Sequence, residues 1–211
     1  MKICYIIGAG DLPLLYINEK SENLIIAADG GYEALGGITP DIVVGDFDSL
    51  GYRPDLPDTV ALPVEKDVTD MRQAVDIGFD RGFDTFLIYG GTGGRPDHTF
   101  ANYALLSLIR EKGGRAYLIG DGYISTVISN EKYLLPQKAE GTVSVFALCS
   151  QAEGVSIEGL KYTLHNHTLS FSHPLGVSNS FTGKNASVSV KNGNLLLMWE
   201  EKSLQEFVDN L

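Results

Sequence analysis

The sequence predicts an α/β fold in two parts, an N-terminal, mostly parallel, Rossmann-like α/β/α domain followed by a C-terminal all-β sandwich. Three observations carry this expectation. Strand-like and helix-like segments alternate up to about residue 130. The strand-like segments there, such as Ile42–Val44, are continuous apolar runs, as required where a parallel sheet is buried on both faces. Beyond Asp121 only short alternating strands and turns remain. The domains are accordingly assigned to residues 1–130 and 131–211, with the boundary falling between 121 and 138.

Taken in order, the first-domain strands are expected at Ile3–Ile7, Leu24–Ala27, Ile42–Val44, Val60–Leu62, Thr85–Tyr89 and Ala116–Ile119. One helix is predicted from Val68 to about Phe79, where Val68, Met71, Val75, Gly78 and Phe79 share a face. A second is predicted from Pro96 to Arg110, with proline in its first turn and Gly113-Gly114 beyond its end. Second-domain strands are expected at Ile124–Ile128, Thr142–Leu148, Val155–Ile157, Thr168–Phe171, Ala186–Val190 and Leu195–Trp199. Asn192-Gly193 between the last two reads as a type I′ hairpin turn. Gly159–Tyr162 and Gly176–Asn179 read as turns.

Composition narrows the function classes. Of the 211 residues 44% are hydrophobic and 20% charged, an ordinary globular balance, and no apolar run is long enough to span a bilayer. The net charge of -11 argues against a nucleic-acid surface, though an acidic site can hold a phosphorylated small molecule through bridging cations. The short apolar start MKICYIIGAG suits a first strand better than a signal peptide, so a cytoplasmic protein is expected. Cys4 and Cys149 read as buried thiols of a reducing compartment.

The chemistry concentrates at strand exits. In Ile42–Leu50 the apolar run stops at Gly45 and delivers Asp46 and Asp48, which in extended chain point the same way while Phe47 turns into the core. A lone Asp-x-Asp is more often a capping turn than a metal site. Asp67 is placed to cap the next helix, and Asp70 to complete a capping box or to supply a third acidic ligand. Gly90–Gly94 leads through Arg95 into the Pro96 helix, where close-approaching backbone amides, the helix N-terminus and a guanidinium suit an anion. The run matches neither a Walker A loop nor a dinucleotide fingerprint. Asp97 suits a helix cap, a substrate contact or a proton acceptor, and His98 an orienting hydrogen-bond partner. With Asp29-Gly30 and Gly8-Ala9-Gly10-Asp11, five strand exits bear acids or glycines, which suggests one crevice.

GDFDS, KDVTD, GGTGGRPDH and the late GVSN, in this order and at these intervals, resemble the motifs of thiamine pyrophosphokinases, especially the bacterial form, over nearly the whole chain. The resemblance implies a cytoplasmic homodimer whose site lies between the α/β domain of one subunit and the β-sandwich of the other. It implies ATP, Mg2+ and thiamine, converted to thiamine diphosphate and AMP. By position, Asp46, Asp48 and Asp70 would hold Mg2+ and through it the triphosphate. Asp29, Gly30, Asp67, Gly91, Gly94, Arg95 and His98 would face the nucleotide. Asp97 would lie near the reacting end or the pyrimidine of thiamine, and Ser178 with Asn179 would reach in from the partner subunit. Lys66 stands where other members carry Gln, and Tyr162 where Trp is common. The alternatives are a pyrophosphokinase acting on a pterin alcohol, which would lack the GVSN contacts, and a non-catalytic thiamine or nucleotide sensor, which would lack a carboxylate or the arginine.

Overall fold

The computed structural model describes residues 1–47, 51–52, 54, 58–61, 67–120, 122–137 and 139–211. The architecture is mixed α/β, rich in strands and with few helices. The chain forms two compact units. One holds Met1–Leu105 and resumes at Gly113, and the other holds Leu106–Lys112 and the chain from Gly122 to Leu211.

In the first unit, strands β1 (Cys4–Ile7), β2 (Leu24–Ala28), β3 (Ile42–Gly45), β4 (Thr59–Ala61), β5 (Thr85–Tyr89) and β6 (Arg115–Gly120) are all parallel, in the order β6-β5-β1-β2-β3-β4. Every residue of β1, β2, β3 and β5 is buried, which is why their sequences are apolar without alternation. Ile7 lies opposite both Ala27 and Tyr89, so β1 stands between a strand reached in one direction and a strand reached after the chain turns back. Such a reversal opens a crevice beyond the carboxyl ends of the strands.

Helices α1 (Gly31–Ala34), α2 (Asp70–Asp80) and α3 (Pro96–Glu111) follow β2, β4 and β5. α2 buries Met71, Ala74, Val75 and Gly78. Its start differs from expectation. Thr69, in extended conformation, is the N-cap and accepts a hydrogen bond from the Arg72 amide at 3.2 Å, so Asp67 is not the cap and Asp70 is the first helical residue. Between β1 and β2 the chain is not helical. Two fully buried tyrosines hold it instead, Tyr89 donating its hydroxyl to the Tyr16 carbonyl (2.9 Å) and Tyr5 accepting from the Asn18 amide (3.3 Å).

The second unit contains β7 (Tyr123–Ser129), β8 (Lys132–Leu134), β9 (Thr142–Ala147), β10 (Gln151–Glu158), β11 (Leu164–Ser170), β12 (Gly176–Ser180), β13 (Ser187–Ser189), β14 (Asn194–Glu200) and α4 (Leu204–Asp209). They pair antiparallel as β12-β9-β14-β7 and as β11-β10-β13-β8. Along β9, Val143, Val145 and Ala147 are buried in alternation, and Trp199 of β14 is fully buried against the rings of Phe207 (5.9 Å) and Tyr133 (6.2 Å).

Two expectations for this unit fail. Gly176–Asn179 is a strand, not a turn. The Asn192-Gly193 turn, although Gly193 has a φ of 109°, joins β13 to β14, which lie in different pairings, and so closes no hairpin. Cys4 is buried, and desolvation, reinforced by the Asp41 charge, pushes its thiol pKa far up, whereas Cys149 is only half-buried. Among the described residues no helix is long and apolar enough to cross a membrane.

Candidate functional site

A cleft of about 710 Å³ lies within the first unit, lined by residues that follow β1, β2, β3 and β5 and by the start of α2. Four strand exits and one helix start therefore converge, as the distribution of acids and glycines suggests.

Its acidic wall is built by strand pairing. Asp29 leaves β2 with a φ of 48° and donates its amide to the Val44 carbonyl at 2.8 Å. An added Cβ at Gly45 would lie 3.0 Å from the Cα of Asp29, so a side chain there would press these two closely approaching strand ends apart by a few tenths of an ångström. Asp46 follows directly, and Phe47, with a φ of 62° and 7% exposure, folds its ring into the core as expected. Asp70 comes to the same place from the first position of α2. Carboxylate oxygens of Asp29, Asp46 and Asp70, all half-buried, lie within 4.8 Å of one another. This is an all-oxygen donor set in which like charges converge, and a hard divalent cation reconciles them. Asp48, expected with Asp46 and Asp70 as a metal ligand, lies outside the described residues, as does Lys66. Asp29, expected beside the nucleotide, joins the acidic group itself.

Because Thr69 fixes the start of α2, Thr69→Ala should lower stability by about 1 kcal/mol and the melting temperature by about 2–4 °C, readable by thermal denaturation.

The opposite wall is two glycine-containing loops running side by side beyond the sheet. Gly8 donates to the Tyr89 carbonyl, Gly10 to Gly90 and Asp11 to Thr92, each at 2.8 Å. The buried Asn102, four residues beyond His98 on α3, donates Nδ2 to the Gly91 carbonyl at 2.7 Å. Sequence reasoning did not single out Asn102, although its spacing places it on the His98 face of a predicted helix. Asp67, Gly91, Gly94, Arg95 and His98 line the cleft. Gly30 is the N-cap of α1 beside Asp29.

Arg95 and Asp97 are bound to each other. The guanidinium donates Nε to one carboxylate oxygen at 3.2 Å and NH2 to the other at 2.5 Å, and both side chains are exposed. The hydrogen bond from Arg95 draws the Asp97 pKa below the usual carboxylate range, and Asp97 in turn raises that of Arg95.

In the second unit Ser178 has a φ of 58° and is exposed, its amide donating to Ser144 Oγ at 3.1 Å. Asn179 is only 4% exposed. Its Oδ1 accepts from the Tyr162 amide at 2.9 Å and its Nδ2 donates to the Tyr162 carbonyl at 2.6 Å. The two stretches that read as separate turns are thus neighbours, and Asn179 holds the exposed Tyr162 in place. His165 and His167 lie exposed on β11, and among the described residues the acidic triad alone has the grouping of a metal site.

Comparison with known proteins is consistent along both halves. The model of "Thiamin pyrophosphokinase, catalytic domain" matches residues 17–118, and that of "Thiamin pyrophosphokinase, vitamin B1 binding domain" matches residues 127–195. Thiamine pyrophosphokinase of Bacillus subtilis is 27% identical over 212 aligned positions, covering 94% of this chain and 98% of that protein. Its crystal structure superposes with a TM-score of 0.84 at 25% identity, covering 96% of this chain and 100% of that one. The Geobacillus thermodenitrificans enzyme gives 0.80 at 27% identity, with 96% and 99% covered.

Proposed function

The chain belongs to the thiamin pyrophosphokinase family, and from that membership we propose that it transfers the diphosphoryl group of ATP to the primary hydroxyl of thiamine, giving thiamine diphosphate and AMP. The observation that carries this reading is the convergence of Asp29, Asp46 and Asp70 opposite a glycine-walled cleft, in a chain matched by both domain models of the family in order.

The three carboxylates fit Mg2+, with its preference for oxygen ligands, and Asp48 is assigned to the same ion on its spacing from Asp46. When bound, the ion supplies charge neutralisation and orientation for the phosphates. The chain's own groups then do the following. Gly91, Gly94 and their loop admit the polyphosphate closely, with Asp67 and His98 alongside. Arg95 offers a bidentate cation whose present partner is Asp97. Phosphate oxygens compete for that guanidinium, and their arrival frees Asp97. Its basicity then rises from the depressed value that Arg95 imposes, so it can accept the proton of the attacking hydroxyl.

The finer architecture is part of the same proposal. The first unit forms a Rossmann-like catalytic domain that binds nucleotide and metal, and the second unit, with β7 as one of its strands, a β-sandwich that binds thiamine and joins two copies into a cytoplasmic homodimer. Exposed Tyr162, Phe171, Leu175 and Val177 in the second unit support an apolar contact surface there. Ser178 and Asn179 of the partner subunit then complete each site, Ser178 by contact and Asn179 by fixing Tyr162.

Incubation with ATP, Mg2+ and thiamine is expected to yield AMP and thiamine diphosphate in equal amounts. Production of ADP would indicate single phosphoryl transfer, and absence of turnover a sensor.

A further inference from the structure

The loop after β5 carries a buried hydroxyl that its surroundings leave unused. The carbonyls of Gly90, Gly91 and Thr92 are engaged by the Gly10 amide, Asn102 Nδ2 and the Asp11 amide in turn, so the loop backbone is pinned at three consecutive residues. The Thr92 hydroxyl is closed off from solvent and makes no hydrogen bond. It is turned against the end of β6, where the absence of a side chain at Gly120 gives it room. A buried hydroxyl without a partner is uncommon in native proteins and destabilises the state that contains it. Thr92 nevertheless lines the cleft, and with the backbone fixed, rotation about its Cα–Cβ bond is the motion left to it.

We propose that Thr92 is a nucleotide-binding residue. Its hydroxyl, unpaired against Gly120, rotates into the cleft when nucleotide binds and donates to a polyphosphate oxygen. This deepens, and rests on, the nucleotide reading of the cleft. A hydroxyl suits the role because its donor is not committed elsewhere and phosphate oxygens are strong acceptors. Binding then removes a penalty present only in the unliganded state, so the hydroxyl contributes more to affinity than an exposed one would.

The test compares the wild-type chain with Thr92→Val, which keeps shape and loses the hydroxyl, and Thr92→Ser, which keeps the hydroxyl. Titration calorimetry with Mg·ATP, melting of the unliganded proteins and steady-state kinetics are read together. Thr92→Val is expected to melt no lower than wild type while its Kd and KM for ATP rise about tenfold with kcat little changed. Thr92→Ser is expected to bind within a few-fold of wild type. Unchanged ATP affinity in Thr92→Val would overturn the proposal, as would a matching loss in both variants, which would assign the effect to packing of the methyl. Wild-type protein that binds Mg·ATP but makes no AMP would overturn the catalytic reading alone, because the calorimetric comparison still reports on the hydroxyl.

Discussion

Asp46→Asn should lower kcat by about 10²–10³-fold at fixed Mg2+ while leaving the folded structure intact. The substitution keeps the size of the side chain and one acceptor oxygen but removes the charge that a divalent ion and the phosphates bound through it require. Asp46 sits at the exit of β3, half-buried, and contributes no apolar surface to the core, so its effect on stability should stay within about 0.5 kcal/mol. Activity and melting temperature therefore part company. A Mg2+ titration separates the roles of the carboxylates. For Asp46→Asn and Asp70→Asn, raising Mg2+ should recover part of the lost rate. Asp29→Asn should show the same Mg2+ dependence if Asp29 ligates the ion, and a changed KM for ATP alone if it contacts only the nucleotide. Near-normal turnover of Asp46→Asn at limiting as well as saturating Mg2+ would remove the metal assignment.

The central strands of the first unit were legible because burial on both faces writes itself into sequence as unbroken apolar runs, and strands such as Thr85–Tyr89 appear with their predicted bounds. Phe47 and the proline-initiated α3 were legible for similarly local reasons. The membership of Asp29 in the acidic group was not. It depends on the Asp29 amide bonding to Val44 and on Gly45 admitting its backbone, relations between residues of different strands that no local pattern records. β12 escaped because its burial does not alternate. Gly176 and Asn179 are buried, Val177 and Ser178 are exposed, and the pairing with β9 shifts register between Gly176 and Asn179. Asn192-Gly193 shows the converse error. Its residues report a sharp turn correctly, but whether the flanking strands pair is decided by β10, β8, β7 and β9.

Gly90→Ala is expected to be the most damaging single-methyl change in the cleft, lowering stability by about 2–5 kcal/mol and the melting temperature by about 5–15 °C. Two costs combine. Gly90 has a φ of 63°, in the left-handed region where alanine costs about 1–2 kcal/mol. Its Cβ would also meet the Gly8 carbonyl carbon at 2.8 Å and Leu12 Cδ2 at 3.1 Å, so the two loops would have to part. Gly94 supplies the control, since its φ of 59° imposes the same strain while an added Cβ would meet nothing within 4 Å. Gly94→Ala should therefore show only the strain, about 1–2 kcal/mol. The difference between the two variants isolates the contact between loops. Glycines in this run suggest room for a phosphate, yet the space around Gly90 is already taken by the chain from β1, and its small size serves protein packing. Parting the loops would move Gly91 and Thr92 relative to the carboxylates across the cleft, and a displacement of about 1 Å there can cost on the order of 10²-fold in rate. Equal melting temperatures for Gly90→Ala and Gly94→Ala would mean that the loops separate freely, and the rigid wall assigned to this side of the cleft would have to be given up.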